Sequence, residues 1–288
     1  MESADIIELK HSNNVNLGDI SPSHRVAIVG SGCGDAELLT LKAARLISAA
    51  DAIIYDSLVS EDILELASKE CEMHFAGKRC GMPSAKQDDI NQLLVICAKR
   101  GLKVVRLKGG DPNVFGRGCE EALFLAKNGI ASHFVPGVTA ALGCAASAGI
   151  PLTHRGVARS VTMVTGTVVE GASKNGVHWQ ALISIKSTLV FYMGKEQASQ
   201  IAHSLLSAGA NIELPMVFIS SGARCEQKLT FAELGTMTEV AKQLEVSGPT
   251  LMIVGEVVNV GQELAELLCQ FEPHKNDIFT DKVLFESA

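Results

Sequence analysis

Apolar residues come in two patterns along the chain. Short apolar runs at 25–29, 52–55, 71–76, 102–107 and 131–135 end in glycine, proline or aspartate and read as strands. Between them, 36–49, 61–67, 86–100 and 120–127 repeat apolar positions at helical spacing, and 138–148 is a run of small residues that reads as a helix. Strands alternating with helices predict a mostly parallel sheet. The stretch 149–155, reading GIPLTHR, marks a change. Beyond it, 160–165, 188–192, 216–220, 228–232 and 250–254 read as strands, 196–208 and 235–244 as helices, and 166–177 as a polar loop. Closer strand spacing there predicts a mixed sheet. The expectation is a two-domain α/β protein, with an N-terminal domain over 25–150 and a C-terminal domain over 151–270. An arm (1–24) and a tail (271–288) flank them, and no internal repeat is visible.

Composition narrows the function. The 288 residues are 47% hydrophobic and 20% charged, which supports a folded core and excludes a disordered chain. A net charge of −7 argues against nucleic-acid binding, so the cations for any anionic ligand must be gathered locally. The longest uncharged stretch, 135–153, is broken by Pro136, Gly137, Gly143, Gly149 and Pro151, which fits a packed loop–helix–loop and not a membrane span. The eight cysteines form no CxxC pair, so no metal site is expected, and their scatter suits a reducing, cytoplasmic setting. Glu2, Asp5 and Glu8 make the first residues a poor leader peptide.

Candidate chemistry centres on RLKGGDPNVFGRGCEE at 106–121. A strand leads into glycine turns and a helix leads out, a sequence of elements that lines clefts in α/β proteins. The earlier loop GSGCGD (30–35) is not a dinucleotide fingerprint, because Asp35 stands where the third glycine belongs. Cations cluster near the turns: Lys78 and Arg79, then Arg106, Lys108 and Arg117, then Arg155. In a parallel sheet the C-terminal strand ends share one edge, so these groups can converge on a trough. Guanidinium groups bind carboxylates bidentately, which makes a polycarboxylate a natural ligand. Arg106 and Lys108 read as solvated strand-end charges, whereas Arg117 and Arg155, in loops, read as functional. Asp56 and Asp111 are turn formers or acceptors in the cleft. His154 reads as a hydrogen-bonded structural residue. Met193 either fills the core or contacts an adenine or sulfonium group.

Taken together, VGSGCGDAELLTLKA (29–43), YDSLVS (55–60), GKRCGMPSAKQ (77–87), RLKGGDPNVFGRGCEE (106–121), PGVTAALGCAASAGIPLTHR (136–155), YMG (192–194) and GEVV (255–258) resemble the uroporphyrinogen-III C-methyltransferases, a branch of the tetrapyrrole (precorrin) methylase family. The resemblance implies two α/β domains with the active site in the trough between them, a homodimer, and S-adenosylmethionine as methyl donor. The implied reaction methylates uroporphyrinogen III at ring carbons 2 and 7, giving precorrin-2 for sirohaem, cobalamin or haem d1. Carried over by position, the donor site is Cys33, Gly109, Gly110, Asp111, Val114, Thr139, Ala140, Met193 and Gly222. Asp56 and Lys78 fall on acid–base positions. Arg117, Glu120 and Arg155 fall on positions for substrate binding and proton removal, and Lys78 and Arg79 are further substrate-binding candidates.

A guanidinium stays protonated at ordinary pH, so Arg117 and Arg155 are assigned to carboxylate binding and charge stabilisation. Asp56 or Glu120 is the expected base. The chain departs from the usual pattern with Cys at 33, 80 and 119, Ser at 57 and 147, Asn at 113 and Thr at 167. The three cysteines are read as a coincidence of small residues, with a thiol cluster that binds a soft metal or senses oxidation as the alternative. A methylase of another tetrapyrrole intermediate and a non-catalytic porphyrinogen carrier are the competing functions. With about 24 residues before the first strand, no fused dehydrogenase–ferrochelatase domain is expected within this sequence.

Overall fold

The computed structural model describes residues 25–77, 87–166, 176–245 and 248–270. Lys78, Arg79, Cys80, Thr167, the arm and the tail lie outside the described residues.

Two five-stranded sheets form. The first is wholly parallel: β1 (Arg25–Gly30), β2 (Ala52–Tyr55), β3 (Glu72–Phe75), β4 (Val104–Lys108) and β5 (Ala131–Val135), in the order β3-β2-β4-β1-β5. Helices α1 (Leu41–Ser48), α2 (Glu61–Leu64), α3 (Gln87–Lys99) and α4 (Gly118–Lys127) connect them. Alternation along the strands builds a core on each face. Val26, Ile28, Ile54 and Val104 meet Leu94 of α3 and Leu125 of α4. Val29, Ile53, Val105 and Leu107 meet Ile47 of α1 and Ile63 of α2. Each such side chain contributes roughly 1.5–3 kcal/mol on burial, which drives the sheet to be covered on both sides.

One helix was expected at 36–49. The chain instead makes a 3-10 turn at Ala36–Leu38, capped by Asp35, whose carboxylate accepts from the Glu37 amide at 2.8 Å. Leu39 is extended, and Thr40 then caps α1 by accepting from the Ala43 amide at 3.1 Å. Two competing caps within six residues split the element.

The second sheet contains β6 (Val161–Thr165), β7 (Thr188–Tyr192), β8 (Pro215–Ser220), β9 (Lys228–Glu233) and β10 (Thr250–Val254), in the order β6-β7-β10-β8-β9. Only β6 and β7 run parallel, so the sheet is mixed, as the strand spacing predicts. Helix α5 (Ala140–Ser147) precedes the change at Gly149 yet packs on this sheet: Ala141, Cys144 and Ala145 join Val190, Val217, Ile219 and Ile253. Leu189, Phe191, Phe218 and Met252 on the opposite face pack with α7 (Ala198–Ser207) and α8 (Met237–Gln243). Helices α6 (Trp179–Ser184) and α9 (Val257–Leu268) have no counterpart in the sequence-based expectation. Among the described residues, no helix is long and apolar enough to cross a membrane.

Candidate active site

The strand order brings the C-terminal ends of β1, β4 and β5 together, and their loops interlock. The Ser31 amide donates to the Lys108 carbonyl at 2.8 Å, and Gly32 and Gly110 exchange backbone bonds of 3.2 and 2.6 Å. A Cβ on Gly30 would lie 2.5 Å from the Gly110 carbonyl oxygen and 2.6 Å from the Gly137 nitrogen, so three backbones meet where no side chain fits. This junction floors a cavity of about 600 Å³, within the range of small-molecule and cofactor sites. The far wall comes from the second sheet, through Tyr192, Met193, Ile219, Gly222 and Arg224.

All nine residues expected at the donor site line this one cavity: Cys33, Gly109, Gly110, Asp111, Val114, Thr139, Ala140, Met193 and Gly222. Asp56 and Arg117 line it too. Glu120 and Arg155 do not. Glu120 sits in the exposed first turn of α4, and Arg155 shares a separate depression with Thr153, His154 and Arg159.

Asp56 accepts from the Leu58 amide at 3.0 Å and the Gly109 amide at 3.4 Å. Asp111 accepts from the Asn113 amide at 2.8 Å and the Gly137 amide at 3.2 Å, so it shapes its turn and also clamps the β5 loop. Arg117 opens α4 in a left-handed conformation, φ 59°, and its guanidinium bonds Glu120 through Nε at 2.9 Å and Nη2 at 2.6 Å. That pairing and its charge hold the Glu120 carboxyl below the usual carboxylate range. A carboxylate so held is a poor proton acceptor, and of the two candidate bases only Asp56 lines the cavity.

Six non-glycine residues have positive φ among the described residues, and Phe115, Arg117 and Met193 of these line the cavity. Ser221 (φ 49°) and Ala223 (φ 57°) flank Gly222, leaving only Lys186 away from it. Concentrated backbone strain of this kind marks sites where the chain is held for function. Met193 is 52% exposed, which corrects the core-filling reading of that residue.

The reading of Arg106 and Lys108 as solvated charges is also corrected. They are 3% and 5% exposed, and Glu121 of α4 is fully buried between them. One Glu121 oxygen, Oε1, accepts from Arg106 Nε at 3.1 Å, Lys108 Nζ at 3.0 Å and Gln87 Nε2 at 3.1 Å. Burial, then the nearby Arg106 charge, pushes the Lys108 ammonium below its ordinary range.

Sequence reasoning missed Tyr192, Phe115, Cys144 and Arg224. The Tyr192 hydroxyl lies 2.6 Å from Thr139 Oγ1 and accepts from the Ala141 amide at 2.8 Å, tying β7 to the start of α5. Its ring packs on Phe115 with centroids 4.9 Å apart. The thiols of Cys33 and Cys144 both face burial that raises their pKa, Cys144 to about 12. Cys119 is exposed and does not line the cavity. Among the described residues, no three His, Cys, Asp or Glu side chains gather as a metal site.

The model of the tetrapyrrole (corrin/porphyrin) methylases matches residues 25–238. A siroheme synthase of Psychromonas ingrahamii is 46% identical over 261 residues, 90% of this chain and 53% of that protein. One from Salmonella arizonae is 45% identical over 239 residues, 83% of this chain and 51% of that protein. The chain thus spans about half the length of the curated relatives it matches. A uroporphyrin-III C-methyl transferase of Thermus thermophilus, solved with S-adenyl homocysteine, superposes with a TM-score of 0.70 at 41% identity and covers 82% of this chain and 99% of that one. A cobalt precorrin-4 methyltransferase shares the fold at 22% identity and a TM-score of 0.71. With three quarters of its length matched by the family model and a full-length structural relative at this identity, the chain belongs to the tetrapyrrole methylases.

Proposed function

We propose that this protein is an S-adenosylmethionine-dependent uroporphyrinogen-III C-methyltransferase that adds methyl groups at ring carbons 2 and 7 and yields precorrin-2. One observation carries the reading: the nine residues implied for the donor share a single cavity between the two sheets. The Thermus relative solved with S-adenyl homocysteine supports the same choice of donor.

The cavity suits such a ligand. Gly109 and Gly222 leave backbone bare where a Cβ would meet Leu58 or Cys144, and Thr139, Asp111 and Arg224 put polar groups beside the apolar Val114 and Met193. When bound, the donor supplies an electrophilic methyl on a sulfonium. The chain's part is mostly orientation: the interlocked loops of β1, β4 and β5 fix one wall, and Tyr192 fixes the other against α5. Asp56 at the cavity wall takes the proton that the macrocycle releases. Arg117, half exposed at the rim, engages a substrate carboxylate by exchanging Glu120 for it. Arg155, which lines a separate depression, keeps its assignment to another carboxylate of the same ring. Lys78 and Arg79 complete the reading as acid and substrate contact.

The two units 25–150 and 151–270, a homodimer and a cytoplasmic setting belong to the same proposal. Its test is twofold. Calorimetry with S-adenosylhomocysteine is expected to give one site per chain, and methyl-labelled donor is expected to label freshly generated uroporphyrinogen III. Donor binding without label transfer would favour a carrier, and absence of both would remove the reading.

A further inference from the structure

The loop 221–227, which follows β8 of the second sheet, is anchored at its base to α5 on the same sheet and reaches across to the loops of the first sheet through Arg224. Gln227 Oε1 accepts from the Ser147 hydroxyl at 2.5 Å while its Nε2 donates to the Ser147 carbonyl at 3.2 Å. The same Oε1 accepts from the Ala223 amide at 2.8 Å, which holds the loop's left-handed turn. Arg224 then crosses the cleft. Its Nη2 donates to the Leu58 carbonyl at 2.6 Å, 166 residues away in sequence. Its stem lies against Gly34, where a Cβ would come within 2.6 Å of Arg224 Cγ. Gly34 has φ 147°, so both the space and the backbone there demand glycine. Arg224 lines the cavity, and its Nε is buried without a partner.

We propose that Arg224 is a positioning residue of the methyl transfer: it latches the 221–227 loop across the donor cavity and sets how long the donor and its demethylated product stay there. The inference rests on the donor-site reading above. Gly222, which lines the cavity, lies within the latched loop, so its position depends on the bond to Leu58 and on the Gln227 hook. A latch made of a charged hydrogen bond between two halves of a protein holds the closed state without touching the reacting atoms. Loosening it raises the population of open cavity, and a ligand leaves through the open state.

The probe is S-adenosylhomocysteine, and the readout is its dissociation rate from full-length wild type, Arg224→Ala, Arg224→Lys and Gln227→Ala. Loss of one charged hydrogen bond predicts about tenfold faster release from Arg224→Ala, with Gln227→Ala moving the same way. Arg224→Lys, which retains a cationic donor for the Leu58 carbonyl, restores part of the difference. Rates are read well below each variant's unfolding midpoint, so a residue that merely supports the fold lowers the midpoint and leaves the rate alone. Release from Arg224→Ala and Arg224→Lys both within twofold of wild type overturns the latch. If Arg224→Ala does not yield folded protein, Arg224→Lys and Gln227→Ala decide alone, and wild-type rates in both overturn it equally. No binding to wild type would instead count against the donor-site reading itself.

Discussion

Arg117 and Glu120 face each other across one turn of α4, joined by two bonds of 2.9 and 2.6 Å at the rim of the cavity. Arg117 thereby holds the Glu120 carboxyl below its usual pKa. A carboxylate whose folded pKa is depressed stabilises the fold above its unfolded pKa and loses that contribution as pH falls through the folded value. Both side chains are more than half exposed, so the stabilisation is at most about 1 kcal/mol. Carbon-detected NMR titration is expected to place Glu120 below an ordinary glutamate and to return it upward in Arg117→Met.

Glu121 tests the buried network. Glu121→Gln leaves Arg106 and Lys108 as adjacent buried cations, whereas Lys108→Met leaves a balanced Arg106–Glu121 pair. Stranding buried charge costs about 3–5 kcal/mol, so urea midpoints should fall much further for Glu121→Gln than for Lys108→Met. Equal losses would mean that charge balance is not what holds the network.

The sheets themselves were legible from pattern. Strands 52–55, 131–135, 188–192 and 250–254 lie where runs of β-branched and aromatic residues predict them. Helix α6 has six residues, too few to display a helical period, and in α9 Gly261 interrupts the signal. Arg106 and Lys108 share the face of Val104, which alternation alone would bury, but the acid that neutralises them lies on the following helix, 15 and 13 residues away. Nothing local announces such a pairing. Tyr192 and Arg224 act through partners 53 and 166 residues distant, so only the folded chain reveals them. The nine positions proposed for the donor, by contrast, come from the family resemblance of the motifs that hold them, and the structure places all nine on one cavity.

The thiols should sort by environment. Cys119 and Cys269 are exposed, while burial pushes Cys33 upward and Cys144 to about 12. Thiolate is the reactive form, so alkylation mapped by mass spectrometry at neutral pH should mark Cys119 and Cys269 first and leave Cys144 unmarked in native protein. S-adenosylhomocysteine should slow labelling of Cys33 further and leave Cys119 unchanged, because only Cys33 of that pair lines the cavity.

Asp56 separates binding from chemistry. Asp56→Asn keeps one acceptor oxygen, for the shorter bond from the Leu58 amide, gives up the 3.4 Å bond from Gly109, and loses the basic carboxylate. Turnover should drop by about 100-fold or more, with donor affinity within a few fold of wild type. Glu120→Gln, whose carboxylate is already occupied by Arg117, should lower turnover far less. The reverse order would move the base to Glu120.

The most direct measurement is the mass of the tetrapyrrole formed when the protein is incubated, without oxygen, with S-adenosylmethionine and enzymically generated uroporphyrinogen III. A product carrying two added methyl groups is expected, with two molecules of S-adenosylhomocysteine released per ring. An unmodified ring, in the presence of demonstrated donor binding, would contradict the proposed reaction.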